Sequence, residues 1–311
     1  MRLPLATLEI FTAIAQYGSL KAAADALGLK PSTVSHQLKS LEERLGTALF
    51  IRTTRSINLT EAGRALLKGT APAFHQISDA VESARATGHE PRGTLKLAIP
   101  EFAYHLLVAK TLPQFRAAYP EIDIELSLTD ALEDILEAGM HAGIRLGDIV
   151  AQDMVAVRLS PRMKLAVVGA PDYFSRQGKP QLPEDLFSHE CIRYRFHSSG
   201  RLAAWNFQGD DGDYVVEVSG KLIVNSLPVA VDAARRGEGL IFVLHDYVAQ
   251  EIADGSLVPV LQEHQSHTPG FYFYFPREYR SMTALRLFLD LLRNSSETEG
   301  RGATERSSTV G

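Results

Sequence analysis

Cysteine is almost missing from this chain: Cys191 is the single one in 311 residues. One thiol closes no internal disulfide, which fits a reducing cytosol. With no His–Asn or His–Asp context beside it, Cys191 reads as a small buried hydrophobe and not as a nucleophile. Long apolar runs are missing too. None reaches the roughly 18–20 residues that a bilayer crossing needs. The opening MRLPLATLEIF has one Arg and no unbroken apolar core of a signal peptide. A soluble cytoplasmic protein, not bound to a membrane, is therefore expected. The ten histidines show no metal-ligand spacing, so neither a metal nor another cofactor is expected. There is no nucleophile elbow, paired catalytic carboxylates, phosphate loop or dinucleotide fingerprint, so an enzyme acting through Ser226 or Cys191 finds no support. The lone tryptophan, Trp205, reads as core and not as a stacking platform.

Positive charge is scarce overall, at a net −5, but it is unevenly spread. Residues 1–60 hold seven basic and four acidic residues, a balance of +3 that leaves −8 for the remainder. A basic end on an acidic body is what one expects if only that end meets phosphate.

That end has a readable plan. Leu5, Leu8, Phe11, Ile14 and Ala15 form a helical stripe over 5–17, closed by Gly18. Ser19 suits an N-cap for a short Ala-rich helix over 19–27 that ends at Gly28. Pro31 suits a first helical position, and a third helix is expected from about Ser32 to Leu45 with Val34, Leu38, Leu41 and Leu45 buried. Two short strands, around Phe50–Arg52 and Ile57–Leu59, flank the polar turn 53–56. Three helices and a hairpin make a winged helix-turn-helix. From Thr60 a helix is expected to about Thr87. Its Leu67, Thr70, Phe74, Ile77, Val81 and Ala84 are spaced as an a/d seam, which either pairs with another copy or packs on its own domain. Pro72 kinks such a helix, and residues 88–93 read as a linker.

Beyond Thr94 strands and helices alternate: strands at 95–100, 122–128, 142–146, 163–170, 191–196, 240–244 and 271–275, and helices at 102–118, 131–138, 227–239 and 281–293. This is the pattern of a parallel or mixed α/β sheet. Residues 295–311 are polar and aperiodic and are expected to be disordered.

On the third helix, Ser32, Thr33, Ser35, His36, Lys39 and Glu43 lie opposite the buried stripe. Short hydroxyls and one imidazole near the N-terminus can approach base edges, and Lys39 can reach phosphate. Arg52, Thr53 and Arg55 on the wing suit the backbone or an adjacent minor groove. Ser19, Lys21 and Lys30 complete the expected DNA-binding set.

The run GSLKAAADALGLKPSTVSHQLKSLEERLGTALFIRTTRSINLTEAG resembles the N-terminal domain of LysR-type transcriptional regulators, and the likeness extends over about residues 4–295. The stretch GIRLGD…DMVAVRLSPRMKLAVVGAPDYFSRQGKPQLPEDLFSHECIRYRF…W resembles one branch of that family. The resemblance implies a winged helix-turn-helix at 1–60 and a dimerisation linker helix and hinge at 61–92. An effector-binding domain resembling periplasmic binding proteins follows at 93–295, with two α/β subdomains (93–160 plus 269–295, and 161–268), then a disordered tail at 296–311. It implies a homodimer or homotetramer on double-stranded DNA carrying an interrupted palindrome, and a small-molecule effector that modulates transcription. RNA polymerase is a further candidate partner. An effector-independent architectural DNA binder is the alternative.

Two residues depart from the family pattern. Lys30 stands where family members commonly carry a capping Ser, and His141 stands where an Asp is common. His141 is either a histidine that titrates near neutral pH or simply a partly exposed one. Effector candidates are placed at strand ends: Pro100, Glu101 and Phe102, Thr129 and Asp130, Arg145, Arg195 and Phe196, and Asn225 and Ser226, with Arg193 and Leu227 beside them. Strand ends and helix N-termini favour an anionic metabolite.

Overall fold

A computed structural model describes residues 4–52, 57–85, 91–129, 138–147, 154–197, 199–209 and 212–307. Three helices open the chain: α1 (Leu5–Tyr17), α2 (Leu20–Leu27) and α3 (Pro31–Leu45). A two-stranded antiparallel ribbon follows, β1 (Phe50–Arg52) against β2 (Ile57–Leu59). Phe11, Ile14, Ala23, Ala24, Val34, Leu38, Leu41 and Leu49 are all buried in one core. The alanines of α2 let α3 approach closely, and Phe11 meets Phe50 at a ring distance of 5.4 Å. The expected stripes are right in the middle and wrong at the tips. Leu5 and Leu45 are 52% and 42% exposed, because terminal turns project past a core only three helices wide.

The long helix α4 spans Glu61–Arg85. Thr60 caps it, its Oγ1 accepting the Gly63 N–H at 3.0 Å. Gly63 is required by contact: a Cβ there would lie 2.2 Å from the Leu49 carbonyl oxygen. The seam divides. Leu67 is buried in the core of its own domain, whereas Ile77 and Val81 are exposed.

The second half is built on two sheets. The first is five-stranded, in the order β4 (Ile122–Leu128), β3 (Gly93–Ile99), β5 (Ala142–Leu146), β15 (Phe271–Pro276), β6 (Met154–Arg158). Strand β3 is parallel to β4 and β5, while β15 is antiparallel to β5 and β6, so the sheet is mixed. One helical run covers it: α5 (Glu101–Ala103), a π-helical segment (Tyr104–Val108) and α6 (Ala109–Ala118). Helix α10 (Thr283–Ser307) packs Leu285, Phe288 and Leu292 into the same core.

The second sheet centres on β7 (Met163–Gly169), with β12 (Ile241–Leu244), β13 (Val258–Val260) and β14 (His267–Thr268) all antiparallel to it. Helices α7 (Pro171–Gln177), α8 (Leu227–Arg235) and α9 (Ala249–Ala253) accompany it. Beside it lie a parallel pair, β8 (Arg193–Tyr194) with β11 (Ile223–Val224), and a hairpin, β9 (Trp205–Gly209) with β10 (Gly212–Val216). Trp205 is buried and stacked on Phe242 at 5.4 Å. Cys191 is buried as well, and burial pushes its thiol up to about 12.

Three expectations need correction. The last helix continues to Ser307, through most of the segment expected to be disordered. A helix nucleated by packed turns extends at one backbone hydrogen bond per residue, so loss of the apolar period does not end it. The strand expected over 191–196 shrinks to two residues, with isolated bridges at Cys191 and Arg195. His141 is not partly exposed but 6% exposed. Its Nδ1 accepts the Lys96 N–H at 3.1 Å and its ring meets Tyr279 edge-on. The helix expected at 131–138 falls almost wholly outside the described residues.

Candidate DNA-binding face and effector cleft

Helix α2 ends at Gly28, whose φ of +65° turns the chain sharply. The Leu29 N–H reaches back to the Ala24 carbonyl at 2.9 Å. Helix α3 then starts at Pro31, which has no N–H to satisfy. Lys30 occupies the N-cap and makes no side-chain cap. Its carbonyl accepts from Thr33 and Val34, and no side-chain oxygen takes up the free N–H of the first turn. With Val34, Leu38 and Leu41 turned into the core, Ser32, Thr33, His36 and Lys39 are exposed and Ser35 is half-buried. A positive helix end with exposed hydroxyls and an imidazole can take a phosphate and face base edges together.

Other contacts hold this face in place. Glu42 Oε1 accepts the N–H groups of Leu49 (2.8 Å) and Phe50 (3.3 Å), tying the end of α3 to the start of the ribbon. Ser19 accepts the Ala22 N–H at 3.0 Å and so caps α2. Lys21 and Lys30 are exposed. Lys39 lies 3.8 Å from Glu43, both well exposed, a pair that water screens and phosphate can displace. Arg52 ends β1, while Thr53 and Arg55 lie outside the described residues.

A second feature of this domain is a groove of about 530 Å³ between α1 and α4, lined among others by Leu5, Ala13, Tyr17, Phe74 and Ile77. It places the outer half of the seam beside the apolar edge of α1.

In the second half, a cleft of about 320 Å³ opens where strands end. Pro100, Glu101 and Phe102 follow β3, Leu128 ends β4 and Thr129 follows it, Tyr194 and His197 come from β8 and its turn, and Asn225 and Leu227 stand at the start of α8. The Thr129 N–H donates to the Ile99 carbonyl at 2.8 Å, which locks the two strand ends together. Tyr247, on the turn after β12, packs on the cores of both sheets. Burial first, then the Glu101 and Glu251 carboxylates, push its phenol up to about 12, so it stays neutral beside the cleft.

Five of the ten expected effector residues line this cleft: Pro100, Glu101, Phe102, Thr129 and Asn225. Asp130 lies outside the described residues. Arg145 is instead stacked over the Tyr274 ring, 4.9 Å from its centroid, because β5 lies against β15. Arg195 donates to the Gly200 carbonyl at 2.7 Å, and Phe196 meets Tyr194 edge-on without lining the cleft. Ser226 is the N-cap of α8. Leu128, Tyr194 and His197 were missed. A two-residue strand has no periodicity to read, and an exposed leucine at a strand end gives no signal.

Comparison with known proteins matches both halves. Residues 5–64 match the bacterial regulatory helix-turn-helix protein, lysR family, and residues 88–297 match the LysR substrate binding domain. The chain belongs to the LysR family of transcriptional regulators. It is 36% identical to the HTH-type transcriptional regulator YcaN of Escherichia coli K12, over 94% of this chain and 96% of the relative. It is 34% identical to the HTH-type regulator PgrR of the same organism, over 93% and 97%. Among solved structures, CrgA, a LysR-type regulator from Neisseria meningitidis, superposes with a TM-score of 0.61 at 26% identity, covering 95% of this chain and 99% of that one. The protein is thus a DNA-binding transcriptional regulator whose activity is modulated by an effector bound to its C-terminal domain. No described helix is long and apolar enough to cross a membrane.

Proposed function

We propose that this regulator works in the cytoplasm as a homodimer or homotetramer, reads an interrupted palindrome with two copies of α3, and carries out no catalysis. The observation that carries this is the pairing of an exposed polar α3 face with a seam whose outer half, Ile77 and Val81, is left uncovered by its own chain. Ser32, Thr33, Ser35 and His36 meet bases, Ser19 stands by the α2 end with Lys21, and Lys30, Lys39, Arg52, Thr53 and Arg55 meet the backbone. Boundaries near residues 60 and 92 separate reader, linker and effector domain, and the two sheets correspond to two subdomains around the cleft. The effector sits in that cleft. RNA polymerase is the partner through which the output is delivered.

A footprint on DNA from the protein's own promoter region is expected to show dyad symmetry. Equal affinity for random DNA at about 0.15 M salt, where non-specific complexes are weak, overturns the reading. The architectural alternative needs a filled apolar cleft. The polar lining by Glu101, Thr129, His197 and Asn225 speaks against it.

A further inference from the structure

The charge of the cleft is one-sided. Glu101 is its single carboxylate, and no Lys or Arg lines it among the described residues. The Glu101 side chain makes no hydrogen bond or ion pair among those residues. The arginines nearest in sequence or expectation are engaged elsewhere. Arg193 donates to the Gly220 carbonyl at 2.8 Å, Arg195 to that of Gly200, and Arg145 lies over Tyr274. His197, also in the lining, is exposed.

A ligand filling this space strips water from Glu101. An unpaired carboxylate loses far more hydration than a neutral contact returns. A second anion adds like-charge repulsion, whereas an ammonium within contact distance favours the charged carboxylate. The volume is at the small end of ligand sites, which suits a compact metabolite.

We propose, resting on the reading of this cleft as the effector site, that the effector is a small molecule bearing an ammonium group that pairs with Glu101. Phe102, Leu128 and Leu227 hold its apolar part, and Thr129 and Asn225 meet its polar remainder. This reverses the anionic preference expected from strand ends and helix N-termini, because among the described residues the cleft is lined by Glu101 and by no Lys or Arg.

The test is a thermal-shift and calorimetric screen of the full-length protein with a matched set of diamines, amino acids and dicarboxylates of equal chain length. Ammonium-bearing compounds are expected to raise the melting midpoint. Glu101→Gln is expected to weaken their binding roughly ten- to hundredfold, the range for loss of a charge-assisted contact. Should Glu101→Gln melt early without ligand, Glu101→Asp takes its place: it keeps the charge, and must keep the preference for ammonium while binding more weakly. Stabilisation by dicarboxylates alone, or amine binding unaffected by Glu101→Gln or indifferent to charge in Glu101→Asp, overturns the proposal while leaving the cleft as an effector site. No shift from any compound, with the promoter footprint intact, overturns the effector-site reading and this inference with it.

Discussion

Along α3, Ser32, Thr33, Ser35, His36 and Lys39 come from one stretch of a single helix. The cleft instead collects Pro100, Thr129, Tyr194 and Asn225 from segments scattered over more than a hundred residues. The first surface is made by periodicity: once Val34, Leu38 and Leu41 are buried, the remaining side chains are exposed on the other side of the same helix. The second is made by topology, since β3 lies between β4 and β5 and their ends are brought together only when the sheet forms. A surface of the first kind tolerates change elsewhere. One of the second kind depends on the packing of everything beneath it.

The strongest way to break this comparison is to damage each core separately. Phe273 and Leu38 are both fully buried, in different clusters. Phe273→Ala is expected to cost about 3–5 kcal/mol and Leu38→Ala about 2–5 kcal/mol. Calorimetry should show each lowering its own transition, with Leu38→Ala removing the DNA footprint and Phe273→Ala removing ligand response. A single merged loss in both variants would show that the two halves do not fold as separate units.

Next in size is Ile77→Asp, which puts a charge on an exposed apolar position of α4. Its own domain should fold unchanged, while sedimentation shows a smaller oligomer and operator affinity falls by roughly a hundredfold or more with the loss of bivalent binding. An unchanged oligomer would assign the seam to packing within one chain.

Smaller effects sort the α3 face. His36→Ala is expected to cost about 1–3 kcal/mol on specific DNA and little on random DNA. Lys39→Ala should weaken all sequences alike and lower the salt slope by about one charge. Unchanged specificity in His36→Ala would remove that residue from the base-reading set.

The smallest effect is one of pH, and it belongs to the C-terminal half alone. The Tyr173 hydroxyl accepts the Glu190 N–H at 3.0 Å and shares a hydrogen bond with His189 Nδ1 at 2.9 Å. Burial, partly offset by Asp185, lowers the His189 pKa from the ordinary 6.5. The unfolded chain therefore takes up this proton first. The stability from neutral His189 is fully present above 6.5 and is lost as pH falls through the lowered value. Melting of the C-terminal transition should decline over that window, and His189→Gln should flatten the decline. Equal slopes in both proteins would assign the dependence to other groups.

Much of the first domain was legible because its signals are local. Gly18, Gly28 and Gly46 end helices, Ser19 begins one, and α1–α4 start or stop within two residues of expectation. The second half was legible as an alternation of strands and helices. Its short elements were not: β6, the β9–β10 hairpin and the two-residue β11 carry too few turns of any period to announce themselves.

By itself, the sequence determined the helix-turn-helix, the side of α3 that faces outward, and the run of strands that builds the α/β half. These follow from backbone preference and the apolar period, which neighbours along the chain settle. Only the tertiary structure decided that Arg145 lies on Tyr274, that Arg195 holds Gly200, that His141 is buried, and that no Lys or Arg among the described residues joins Glu101 in the cleft. A long charged side chain can reach many partners, and which one it meets depends on strand order and register, which no short window of residues encodes.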